Sequence, residues 1–180
     1  MKQIMVIGIS AGVGKSTFAR RLGEALDIDV FHLDTFYWKP NWVEAPEEEF
    51  SKAQQEIVKK NQWIIEGNYY STFEMRAEHA DTIIYLELPL YVCLYRVIKR
   101  RIMNNGKTRP DMGEDCKEKI DWAFIKFIIT TYYPRKREME ERFQVFQTLG
   151  AKKDIIQLKS KREIHSFLEN IHRQACETVK

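Results

Sequence analysis

Cysteine is scarce in this chain. Its three residues, Cys93, Cys116 and Cys176, are far apart and odd in number. That excludes a disulfide framework or a zinc-type Cys spacing and suits free thiols in a reducing, cytoplasmic setting. The four histidines, His32, His79, His165 and His172, form no metal or triad spacing. No apolar run is long enough to span a bilayer, and the opening residues lead straight into a strand pattern, so neither a membrane partner nor a signal peptide is expected. Net charge is only +3, far from the strongly basic balance of a dedicated nucleic-acid binder. Internal repeats and low-complexity linkers are absent too. What remains is a chain of 180 residues with 44% apolar and 31% charged content, the profile of one globular domain spanning 1–180.

The most informative stretch runs from Ile7 to Thr17. Lys2 to Ile7 is apolar and β-branched, as in a strand buried on both faces. After it, Phe18, Leu22 and Leu26 recur at helical spacing. Gly12-Val13-Gly14-Lys15-Ser16-Thr17 therefore stands at a strand-to-helix turn, where backbone N–H groups and a helix N-terminus cradle phosphate oxygens. Lys15 is expected to reach the outer phosphates of ATP and Ser16 to hold Mg²⁺. The usual phosphate loop has four residues between its first glycine and the Gly-Lys pair, whereas Gly8 has five before Gly14. Either Ile9 occupies the first-glycine position or the loop is one residue longer. Thr17 replaces the third glycine of a dinucleotide loop and argues against that alternative.

Further along, short apolar runs alternate with helical patterns, which predicts a parallel sheet with helices on its faces. The expected helices cover Lys15–Leu26, Glu47–Lys60, a stretch from Leu90, Glu114–Thr130, Pro134–Leu149 and a final one capped by Ser160. The expected strands after the first are Asp29–Leu33, ending at Asp34, then Trp63–Ile65, Thr82–Leu86 and Asp154–Leu158. Carboxylates at strand ends matter because ligands bind beyond the carboxyl ends of such strands. The aromatic run from Thr35 to Trp42 reads as a loop bracketed by prolines. It either closes the core edge or offers Tyr37 and Trp38 as a flat pocket wall.

Phosphoryl transfer needs the phosphates held, their charge neutralised and the acceptor placed in line. Asp34 is the candidate base or hydroxyl ligand; its alternative is capping the next turn. Glu66 is expected to fix a water on Mg²⁺ or bind acceptor hydroxyls, with Asn68 beside it. Arg76 reads as an acceptor-phosphate ligand or a solvated side chain. Arg96 and Arg100 share a helical face, and Arg137 belongs to a basic excursion, Tyr132–Arg137, of the kind a closing lid provides.

Taken together, Gly12–Thr17, His32-Leu33-Asp34, Tyr37–Trp42, Trp63–Tyr69 and Ala80-Asp81 resemble the DNA topology modulation (FlaR-type) proteins, in the adenylate-kinase-like branch of P-loop kinases. The resemblance spans nearly the whole chain. It implies an α/β fold, a three-layer α/β/α P-loop NTPase with a mainly parallel five-stranded sheet and a helical lid. It also implies an acceptor-binding segment at about 34–62 and a lid-like segment at about 100–137. Arg96–Arg101 resembles the segment whose arginines bracket the adenine and phosphates of ATP. Glu66-Gly67 stands where the family has Asp-Gly. Asp34-Thr35-Phe36-Tyr37 is similar to the Asp-x-Phe-Tyr of uridine kinases, in which the aspartate engages the acceptor sugar hydroxyl.

The expected function is ATP-dependent phosphoryl transfer, with Mg²⁺, to a small hydroxylated acceptor such as a nucleoside or nucleotide. The alternative is a nucleotide-dependent regulatory protein acting on DNA through the basic residues of 96–109 and 135–137, although no DNA-binding motif is visible. Nothing in the sequence sets an oligomeric state.

Overall fold

The computed structural model describes residues 1–103, 111–116, 121–148 and 153–178. Most of the polar stretch from Asn104 to Gly113 therefore lies outside the described residues, together with Leu149.

The chain opens with β1 (Gln3–Gly8) and turns into α1 (Lys15–Leu26). Helix α1 stops where Asp27, left-handed at φ 55°, donates its N–H to the Gly23 carbonyl. Then come β2 (Val30–His32) and α2 (Leu33–Tyr37). Asp34 therefore sits in the first turn of a short helix and not at a strand end. Leu33 is wholly buried, and Thr35 Oγ1 donates to the His32 carbonyl at 2.7 Å, closing a helical turn over residues whose propensity favours a strand or loop.

The run after it, expected as a loop, is a tight hairpin. Strand β3 (Trp38–Lys39) pairs antiparallel with β4 (Val43–Glu44), in the register Trp38↔Glu44. The described piece 111–116 packs on its back, where Cys116 Sγ donates to the Lys39 carbonyl at 3.3 Å.

Helix α3 (Glu47–Val58) begins with three glutamates after Pro46, in keeping with the macrodipole. It is followed by β5 (Trp63–Glu66), α4 (Phe73–His79), β6 (Thr82–Leu86) and α5 (Leu90–Met103). Helix α6 (Trp122–Thr148) runs unbroken through Pro134, so Tyr132–Arg137 is helical and not an excursion between two helices. The carbonyl that Pro134 frees belongs to exposed Thr130, and the Thr130 and Thr131 hydroxyls bond back to the preceding turn. Finally β7 (Asp154–Leu158) leads into α7 (Lys161–Thr178), whose start is capped by Ser160 and Glu163 in reciprocal hydrogen bonds.

Five strands form one parallel sheet in the order β2-β5-β1-β6-β7. Every residue of β5 and β6 is buried, so helices cover both faces. On one face α1 and α7 meet through Phe18 and Phe167, whose rings stack 6.0 Å apart. This is the three-layer α/β/α architecture expected from the alternation of strand and helix patterns. It aligns the carboxyl ends of β1, β2 and β5 along one rim.

Candidate functional site

The loop after β1 is held from three sides. Ile9 donates its N–H to the Leu86 carbonyl at 2.9 Å, extending the pairing with β6 by one residue. Its side chain is wholly buried and its φ is not positive, so the first-glycine position tolerates isoleucine. The left-handed turns fall at Gly12 (φ 79°) and Gly14 (φ 105°). A Cβ on Gly12 would lie 2.3 Å from the Cys93 carbonyl oxygen, so α5 forms the floor of the loop. Arg96 Nη1 grips the Val13 carbonyl at 2.8 Å from the same helix. Asn68 clasps Gly8 from the other side, accepting from its N–H at 3.0 Å and donating to its carbonyl at 2.6 Å.

Helix α1 starts at Lys15 from Gly14, which has no side chain with which to cap the helix. The first N–H groups of the helix therefore lack intrahelical or side-chain partners, which suits an anion. These features fit a nucleotide polyphosphate. Among the described residues no group of three or more His, Cys, Asp or Glu could hold a metal ion. Mg²⁺ here would rely on Ser16, phosphate oxygens and water, its usual coordination in such sites.

Three titratable groups meet at the strand ends. Glu66 is 4% exposed. Its Oε1 lies 3.9 Å from Lys15 Nζ, and its Oε2 accepts from His32 Nδ1 at 2.9 Å. His32 and Glu66 are register partners on adjacent parallel strands, which brings the two side chains together. Burial pulls the His32 pKa down, but the Glu66 hydrogen bond and the charges of Glu66, Asp111 and Asp34 outweigh it, so the net shift is upward. A raised histidine pKa stabilises the fold fully below its unfolded value of 6.5 and stops doing so as pH climbs through the folded value. His32→Asn is therefore expected to lower the urea midpoint more at about pH 5.5 than at about pH 8.5. Equal losses at both would break this assignment.

Tyr69 donates its hydroxyl to Asp34 Oδ1 at 2.6 Å. Burial, then the Asp34 charge, push the Tyr69 pKa upward, so it remains a protonated donor. Behind this pair Tyr37 packs on Tyr69 and Phe50, with ring centroids 4.7 and 5.1 Å away.

Lys15, His32, Glu66, Asp34 and Tyr69 open on one cleft of about 1350 Å³. Residues 12–17, Asp34, Trp38, Glu66, Asn68, Arg96 and Arg100 all line it. Tyr37 does not; it backs Trp38 edge-on at 4.9 Å. Arg76 does not reach it either. It is wholly buried, and its guanidinium donates to the carbonyls of Thr72, Gly67 and Tyr69, so it holds the loop after β5 in place of an acceptor phosphate. Arg137 lies on an exposed face of α6, while Arg135 lines the cleft. On a helix, residues two apart point about 200° away from each other, so only one of this pair can face inward.

His32, Tyr69 and Arg135 are therefore the site residues that sequence reasoning missed. The one available signal was that His32 precedes Asp34 by two.

Neither a family model nor a curated protein sequence matches the chain. Solved structures do. Shikimate kinase from Acinetobacter baumannii in complex with shikimate has a TM-score of 0.55 at 14% identity, covering 99% of this chain and 94% of that one. Shikimate kinase from Aquifex aeolicus has a TM-score of 0.52 at 14% identity, covering 97% and 98%. A gluconokinase from Sinorhizobium meliloti has a TM-score of 0.50 at 14% identity, covering 99% and 98%. Likeness at that identity is a likeness of fold: the chain has the fold of P-loop kinases.

Proposed function

We propose that this chain is an ATP- and Mg²⁺-dependent kinase that phosphorylates a small hydroxylated acceptor, a nucleoside or nucleotide. The observation that carries this reading is the uncapped start of α1 beside Lys15, opening on the same cleft as Glu66 and Asp34. Main-chain groups of 12–17 and Lys15 would hold the phosphates, and Ser16, with Glu66 acting through water, would hold Mg²⁺. When bound, the metal offsets charge on the phosphate oxygens.

The acceptor oxygen attacks the γ-phosphorus, its proton passes to Asp34, and the bond to the ADP oxygen breaks. Asp34 is fixed for this by Tyr69. Arg100 and Arg135 cover the transferred group, Arg96 keeps the loop in shape, and the segment 100–137 acts as the lid over acceptor residues drawn from 34–62. The motif runs shared with the FlaR-type proteins support membership of that group. The free cysteines suit a cytoplasmic enzyme, and no described helix is long and apolar enough to cross a membrane.

ADP release measured across a panel of hydroxylated acceptors tests the proposal. An acceptor-stimulated rate of about 1–100 s⁻¹ is expected. No stimulation above the acceptor-free rate by any member would reject it.

A further inference from the structure

The cleft around the phosphate loop is lined by two kinds of group, cations and rings. The cations include Arg20 and Arg21 of α1, Arg100 of α5, Arg135 of α6 and Lys161 of α7. The rings come largely from the segments that follow β2 and β5. Their centroids form a chain, Tyr69 to Tyr37 at 4.7 Å, Tyr37 to Trp38 at 4.9 Å and Trp38 to Trp42 at 5.4 Å, with Trp38, Trp42 and Tyr69 exposed to the cleft.

Trp42 is held at φ 64°, a left-handed conformation that a bulky side chain rarely adopts. Such outliers cluster at ligand clamps. Here the hairpin register fixes the Trp42 ring beside Trp38. Two carboxylates line the cleft beside this wall: Asp34 from α2, and Glu44, which stands across the hairpin from Trp38. Arg76, the cation that the sequence offers for an acceptor phosphate, is withdrawn onto three backbone carbonyls.

Resting on the kinase reading, we infer that the acceptor is an unphosphorylated nucleoside. Its base stacks on the Trp38–Trp42 wall, and its sugar hydroxyl donates to Asp34. A base has the flat face that such a wall binds, and a sugar has the donors that carboxylates accept. A monophosphate or a hydroxy acid would bring its negative charge beside Asp34 and Glu44, while Arg76 is turned away onto backbone carbonyls.

The test uses the full chain and paired acceptors: each common nucleoside, its 5′-monophosphate, and shikimate and gluconate as carboxylate controls, all at saturating Mg·ATP. One nucleoside is expected to exceed its own monophosphate and both acids in kcat/KM by about tenfold or more. Trp38→Ala is expected to raise the KM for that nucleoside by about 5- to 150-fold, with the KM for ATP unchanged within about twofold. Trp42→Ala provides a second variant if Trp38→Ala lowers the urea midpoint.

Preference for a monophosphate or an acid would overturn the inference and leave the kinase reading standing. So would a Trp38→Ala effect that falls on ATP. If no acceptor stimulates ADP release, the kinase reading fails, and tryptophan fluorescence then decides the inference separately. Saturable quenching by a nucleoside, weakened in Trp38→Ala, would support it; the absence of quenching would overturn it.

Discussion

Lys15→Ala is expected to lower acceptor-stimulated kcat/KM by about 10²–10³-fold, the loss typical of removing one donor from a site of developing negative charge. The ammonium group lies at the start of α1, where the phosphates of ATP would rest, and its side chain is 15% exposed. Its nearest charge partner, Glu66 at 3.9 Å, keeps the closer contact with His32. Glu66 keeps its contact with His32 in the variant, so folding should lose far less than activity does. Calorimetry should show the heat of Mg·ATP binding shrinking with the activity, while the urea midpoint stays near that of the parent chain. A variant with parental turnover would remove the phosphate-loop assignment altogether.

Arg76→Leu should act on stability. Removing the guanidinium strands two carbonyls, those of Gly67 and Tyr69, while the Thr72 carbonyl keeps the Arg76 N–H. Each buried acceptor left unpaired costs about 1–3 kcal/mol, and relaxation offsets part of the sum. A loss of about 2–4 kcal/mol follows. At about 2–4 °C per kcal/mol for a chain of this length, the thermal midpoint falls by about 4–16 °C. Arg76→Lys keeps the charge on a single point donor and should recover only part of the loss. A loss under about 1 kcal/mol for Arg76→Leu would show that water reaches the freed carbonyls. Burial pulls the Arg76 pKa below the ordinary arginine value, and the charge of Glu66 opposes this, so the side chain belongs to the same electrostatic group as the cleft without touching it.

The parts of the fold legible in the sequence were those with a local cause. β-Branched runs marked the strands of the sheet, the spacing of Phe18, Leu22 and Leu26 marked α1, and the Ser160 cap marked α7. What escaped had tertiary causes. Helix α2 is only five residues long and contains β-branched and aromatic side chains; it exists because Leu33 is buried and Thr35 closes the turn. Pro134 reads as a break, yet α6 passes through it. Once those residues are helical, the inward-facing cation becomes Arg135 and not Arg137.

The site followed the same division. Residues 12–17 were legible because their chemistry resides in consecutive main-chain groups. The contact of His32 with Glu66 depends on the pairing of β2 with β5, two strands separated by more than thirty positions that no sequence pattern aligns. Arg76 was misleading because its environment is created by the carbonyls of 67, 69 and 72, which a linear reading cannot gather around it.

The seating of Gly12 on the Cys93 carbonyl, with Arg96 gripping Val13, has a consequence for how such a chain can vary. The loop after β1 is cantilevered from a helix eighty residues away, so its shape is inherited from α5 as much as from its own glycines. Drift along that helix is therefore constrained on the side that faces the loop, and a displacement of one turn near Cys93 would reshape the loop without altering any of its own residues.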